Sequence, residues 1–290
     1  MRTQSRIFSS WWLTKRKVAN ALMWGGTVAA TLLALLPLFL VVYYLLAQGL
    51  PALNLAFFTN LPKPVGETGG GMANAIVGTV ILIGIAGVIG IPIGLFGGIF
   101  LAEFGNNRLG GFMRFCADVL ASVPSIVIGI LVYSIIVMPM KHFSALSGGI
   151  ALGIMMIPMV MRNTEEMIRM VPRSQREASL ALGATHFTTL FRIVMLSAKG
   201  GVITGILLAV ARVAGETAPL LFTAFGNRFW STNLDQPIAS LPVQIFTYAI
   251  APYDDWHAQA WAGALVLVFL IFLISVAARY ATKGRIHIVR

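Results

Sequence analysis

Arg212 and Glu216 stand four residues apart inside the otherwise apolar run LLAVARVAGETAPLLF, residues 207–222. That spacing puts both side chains on one face of a helix. Counted from Gly201, where the apolar run starts, Arg212 is 11 residues in. At 1.5 Å per residue this is roughly 16 Å, near the middle of a hydrocarbon layer about 30 Å thick. An arginine there costs at least about 2.5–3.5 kcal/mol on the insertion scale. Two readings offset that cost. In one, the pair is structural and Glu216 only neutralises Arg212. In the other, Arg212 is an anion step on a pathway, held or gated by Glu216. Thr217 joins the same motif. Pro219 has no N–H to give the carbonyl of Gly215, so a free acceptor is expected beside the pair. An interrupted ladder at membrane depth is tolerated only against protein or water.

Other chemistry is missing. His142, His186, His257 and His287 are too scattered for a metal site, and neither a His-Glu-x-x-His nor a Gly-x-Ser-x-Gly pattern occurs. No Gly-Lys dipeptide exists, which excludes a P-loop. The single cysteine, Cys116, excludes an internal disulfide and a cysteine-built zinc site. Asp118 opens the third span, where it could face a pore, but capping that span or pairing with Arg114 is the reading favoured. These residues offer no catalytic set, no metal site and no cofactor site.

The elements that would position Arg212 are membrane helices. Of 290 residues 58% are hydrophobic and 11% charged, far from the balance of a soluble domain. Six candidate spans are expected, at about 23–46, 73–102, 117–138, 143–161, 201–225 and 258–280. The second contains Pro92, where a tilt, kink or break is expected. The first begins with basic residues but is too long for a signal-peptide core, so it is read as retained, with Trp11 and Trp12 at the interface. The formal charge is +11, yet the basic residues do not gather into a nucleic-acid-binding stripe. Seventeen of the 21 lie in the two tails and in loops 103–115 and 162–199. The positive-inside rule then puts both termini in the cytoplasm of a multi-pass protein in contact with membrane lipid. Small residues recur at Ala86, Gly90, Gly94, Gly98 and Ala102, and again at Gly201, Gly205 and Ala209. Such stripes serve either helix packing within the chain or an interface with a second membrane subunit.

The loop 162–199 reads as a docking element. Ser174 and Glu177 fit a capping box, which predicts a helix from Gln175, and Gly183 is a fitting stop. A second helix is expected over about 186–198. Arg176, Ala178, Leu180, Ala181 and Ala184 lie on or beside this short helix. It lacks the bulky aromatic face of a helix that rests on lipid, so a soluble partner is expected to bury it.

Glu177-Ala178-Ser179 with Gly183 resembles the EAA loop of the ABC importer permeases. Gly183 and Ile193 fall on that pattern's spacing, Ser179 replaces an alanine, and Met195-Leu196 replaces Leu-Pro. The resemblance implies that Ser174, Arg176, Glu177, Ala178, Ala181, Gly183 and Ala184 belong to a coupling helix seated in a cleft of an ATPase. Longer segments at 57–79, 118–129, 215–227, 241–249 and 251–268 resemble the phosphate-specific importer permeases of the PstA type. That narrower likeness implies an all-α membrane protein with six transmembrane helices and the type I importer permease fold. It implies a tail over 1–20, a first transmembrane helix over 21–49, an extracytoplasmic loop over 50–70, a transport domain over 71–282 and a tail over 283–290. It further implies a second permease subunit, an ATPase subunit dimer that uses the ATP, and an extracytoplasmic phosphate-binding protein. Inorganic phosphate would pass along Arg212, Glu216 and Thr217. A permease for another oxyanion, sulfate or molybdate, is the nearest alternative. A passive anion channel and a membrane enzyme are the remaining ones.

Overall fold

In the computed structural model, residues 10–67 and 69–283 are described. Arg2, Arg6, Thr68, Arg285, His287 and Arg290 lie outside them. The described residues form helices and no strand. Five helices are long and apolar enough to cross a membrane: α1 (Ser10–Ala52), α3 (Ala73–Glu103), α6 (Ala145–Arg169), α8 (His186–Ala214) and α11 (Asp254–Lys283). The bent pair α4 (Arg108–Ser122) and α5 (Ser125–Met140) brings the total to six if it counts as one span. Short helices fill the turns: α2 (Leu55–Thr59), α7 (Arg173–Ala181), α9 (Ala218–Thr223) and α10 (Leu241–Ala249).

The described residues up to Gln48 and those from Gly49 onward form separate compact units. The first is a helical rod of largely exposed apolar residues. As a whole α1 has 43 residues, about 65 Å of helix, which exceeds one crossing. Lys15 lies 3.6 Å from the Trp11 ring centre and Arg16 lies 5.6 Å from that of Trp12. These contacts pair each indole with a cation.

The second unit is built around the α3–α6 seam. A Cβ at Gly90 would meet Met156 at 2.8 Å, one at Gly94 would meet Val160 at 2.7 Å, and one at Gly98 would meet Thr164 at 2.6 Å. The second stripe is used the same way, with Gly205 against Asn163 and Gly201 against Met167. Both stripes therefore serve packing within this subunit, and the larger side chains of α6 fill the room they leave. Leu82, Ala86, Leu152, Met156, Val160, Ala209 and Val213 form the core beside them.

Several spans depart from their expected form. The apolar run 117–138 is not one helix. It is broken at Val123-Pro124, and the two halves meet at 101°. Proline forces the residue before it toward extended backbone, and Val123 sits at φ −65, ψ 131. By contrast α3 runs through Pro92, and α6 runs through Pro158 and continues to Arg169. The start of the expected loop is thus the end of a long helix. Helix α8 begins at His186, not Gly201, and stops at Ala214. Two helices carry one wider turn of π-helix, at Tyr133–Val137 and Thr189–Val194.

Candidate functional site

The expected fifth span does not pass through Arg212 and Glu216; it ends on them. Arg212 lies in the last turn of α8, Gly215 closes that helix, and Thr217 opens α9. Pro219 is in the first turn of α9, where a missing N–H leaves no helical bond unmade. The break therefore comes from Gly215 to Thr217, not from the proline inside a helix. The negative end of α8 favours a cation at this place. Arg212 Nε lies 3.9 Å from Glu216 Oε1, at the limit of an ion pair. Arg212 is 62% exposed and Glu216 18%. Among the described residues the Arg212 guanidinium makes no hydrogen bond, so its fork of donors is unspent.

Neighbouring elements hold the break firmly. Gly129 of α5 lies so close that a Cβ there would meet Pro219 Cα at 2.7 Å. The carbonyl of Thr223 accepts from the Ser144 amide at 3.1 Å and from Ser147 Oγ at 2.9 Å. Phe225, at φ 62, stacks on Phe143 with ring centres 4.8 Å apart. Thr217 is half-buried, and its carbonyl accepts from Leu220 at 3.1 Å. The result is a fixed backbone that carries one loosely paired guanidinium.

The short helix α7 covers Arg173–Ala181, two residues earlier than the capping box implied. Its N-cap is Pro172, and no side chain caps it. Only three residues separate it from α6, so the chain must turn and restart at once. Ser174 is left exposed inside the first turn. The other end is as expected. Gly183 has φ +81, its amide donates to Leu180 O at 2.9 Å, and that of Ala184 donates to Ser179 O at 3.2 Å. This is a Schellman closure, with glycine at the left-handed position. Glu177, Ala178 and Ala181 are exposed, Ala184 is half-buried, and Leu182 is 88% exposed. Arg176 instead turns back to Glu103 at the end of α3 and donates to Ile168 O at 3.0 Å. Ser179, the residue that departs from the EAA pattern, is buried and bonds Thr189 Oγ1 at 2.9 Å across to α8.

One constellation was missed from sequence. Glu165 Oε1 is 2.7 Å from Arg114 Nε and 2.9 Å from Arg169 Nη2, and its Oε2 is 3.3 Å from Arg162 Nη1. Arg162 also pairs with Asp118 at 3.1 Å. Asp118 thus neither caps a span nor pairs with Arg114; it sits in the later part of α4 and faces α6. Arg114 and Glu165 are 51 residues apart, and no local spacing announces such a pair. The described residues contain no cluster of three or more metal-ligating side chains.

The model of the family described as the inner membrane component of binding-protein-dependent transport systems matches residues 90–286. The chain belongs to that family. As an inner membrane component it is a multi-pass, all-α membrane protein, and the match contains both the α7 loop and the Arg212 break. Relatives within it include the phosphate transport system permease protein PstA of Yersinia pestis, 44% identical over 279 residues, which cover 96% of this chain and 93% of that one. PstA of Xylella fastidiosa strain 9a5c is 48% identical over 237 residues, covering 81% and 82%. A probable PstA of Methanocaldococcus jannaschii is 38% identical over 261 residues, covering 90% and 92%. Among solved structures, an inward-facing form of the MetNI methionine ABC transporter aligns with a TM-score of 0.60 at 17% identity, over 73% of this chain and 96% of that one. That likeness concerns the fold, which is the type I importer permease fold expected from the sequence.

Proposed function

We infer that this chain is the permease subunit of an ATP-driven inorganic phosphate importer, a non-catalytic part of a transport complex. The observation that carries it is 44% identity to a phosphate transport permease over 96% of the chain. The Arg212 break supplies the physics. Phosphate carries between one and two negative charges at neutral pH, and an isolated ion leaves water only at a cost of tens of kcal/mol. A guanidinium with unspent donors and more than half of its side chain exposed lowers that barrier and matches tetrahedral oxygens. Its partner Glu216, 3.9 Å away, is loose enough to yield. A single cation that binds weakly suits passage better than capture.

The partners follow from the same reading. A second permease completes the path, an ATPase dimer receives α7, and an extracytoplasmic phosphate-binding protein delivers the ion. Both termini and the α7 loop then face the cytoplasm, in agreement with the positive-inside count. Arg212, Glu216 and Thr217 line the path. Ser174, Glu177, Ala178 and Ala181 face the ATPase, while Arg176, Gly183 and Ala184 fix the helix that presents them.

The test is uptake of radiolabelled phosphate by cells lacking this chain, with and without the restored gene. Restoration that excess sulfate and molybdate do not compete away is the expected result. Absence of phosphate uptake from the restored, assembled complex ends the reading.

A further inference from the structure

Glu165 is the one charged residue among the described residues that is buried, its side chain 4% exposed. Burial of a carboxylate carries a desolvation penalty of several kcal/mol, so it persists only where partners surround it. Its three guanidiniums come from two helices and reach further. Arg114, on α4, also donates to Leu101 O at 2.9 Å and Gly105 O at 3.0 Å, beside the end of α3. Arg169, on α6, reaches the same Leu101 carbonyl at 3.4 Å. Two residues above Leu101, Glu103 holds Arg176 of α7. Two neighbouring sets of polar contacts, joined through the α3 backbone from Leu101 to Glu103, thus link the docking helix, the ends of α3 and α6, and α4.

Helix α4 has little else to hold it, since only Gly110 and Ala117 on it are buried. It leads through the 101° bend into α5. Gly129 of α5 is pressed against Pro219, three residues from Glu216. Each guanidinium has more than one acceptor in reach: Arg162 has Glu165 and Asp118, and Arg169 has Glu165 and the Leu101 carbonyl. A set built this way has alternative partners within reach, which is what a second arrangement would need.

We propose that Glu165 is the hub of an ionic latch that makes the position of α4 and α5, and through them the Arg212 break, depend on the position of the docking helix α7. Glu165 is a positioning residue here and touches no phosphate. The proposal rests on the importer reading above.

The test uses the complete transporter in proteoliposomes, with and without phosphate-loaded binding protein. Glu165→Gln keeps one acceptor oxygen, and the arginines it releases reach solvent, so the complex assembles with its basal ATPase rate intact. Stimulation by the loaded binding protein falls about fivefold or more, the scale of ordinary coupling between sites. Phosphate moved per ATP falls with it. Glu165→Asp restores part of the stimulation, and Asp118→Asn, on the exposed side, gives a smaller fall. If Glu165→Gln does not accumulate, Arg114→Lys replaces it, keeping the charge but losing the fork. Wild-type stimulation in either variant that assembles overturns the latch. So does failure of both to assemble, which assigns the cluster to stability alone. A wild-type complex without phosphate-dependent uptake defeats the importer reading instead, and the two failures are told apart by that control.

Discussion

The Glu165 cluster and the Arg212–Glu216 pair are made of the same two residue types and are built in opposite ways. At Glu165 a carboxylate 4% exposed is bracketed by three guanidiniums at 2.7–3.3 Å, and Arg114 spends its remaining donors on backbone carbonyls. At Arg212 the guanidinium is 62% exposed, its carboxylate is 3.9 Å away, and no donor is spent among the described residues. Saturated charges hold backbone in place. An unsaturated charge on a fixed backbone is available to something that arrives. An Arg–Glu pair in an apolar run is therefore informative about function through its unused hydrogen bonds, not through its presence.

The largest effect expected from this contrast is at the unsaturated site. Arg212→Gln should lower phosphate uptake about a hundredfold, the scale of losing a charged hydrogen-bonding partner at ~3 kcal/mol. Membrane abundance should stay normal. Arg212→Lys should keep part of the flux, because an ammonium lacks the planar fork. Full uptake by Arg212→Gln at normal abundance would erase the distinction between the two sites. The saturated site should respond the other way. Glu165→Ala leaves several guanidiniums without their carboxylate, and the thermal midpoint of the purified complex should fall well below that of Glu216→Ala. A buried pair broken on one side costs about 3–5 kcal/mol, while the loose pair has less to lose. Equal midpoints would contradict the contrast.

Smaller effects test what connects the two regions. Gly183→Val places a β-branched residue at φ +81 with open space around it, so backbone strain alone acts. Left-handed backbone costs an ordinary residue roughly 1–2 kcal/mol, and ATPase co-purification should drop about tenfold while insertion is unaffected. Ser179→Ala should be milder. It removes the bond to Thr189 and leaves one buried hydroxyl unpaired, at about 1 kcal/mol or somewhat more. The melting midpoint should fall slightly with docking retained. In a Cys116→Ser background, a cysteine at Asp235 should react with an impermeant thiol reagent in intact cells, and one at Ser174 should not. Reversed labelling would place the two regions on the wrong sides.

Much of the frame was legible in the sequence. The run expected over about 73–102 is the helix Ala73–Glu103, and the stop at Gly183 is the left-handed cap foreseen. Hydrophobic runs and glycine caps are local signals, and they report on local structure. The bend at Val123-Pro124 was not legible, because an apolar run reads alike whether straight or folded back. Pro92 and Pro124 show the same limit: one is accommodated within a packed helix, the other ends one. Ser174 and Glu177 matched a capping pattern, but the short connection from α6 forced an earlier start at Pro172. The Arg212–Glu216 pair was visible because its members are four apart, whereas Arg114 and Glu165 meet across 51 residues. What tertiary contact alone creates leaves no mark in spacing.

The glycine face of α3 has a mechanical consequence. With Met156, Val160 and Thr164 of α6 set into Gly90, Gly94 and Gly98 at less than ordinary contact distance from any added carbon, the two helices cannot slide or roll past one another. They move as one rigid body. Any change of shape in this subunit is then left to places where helix is interrupted outside that pair, such as the corner at Val123-Pro124.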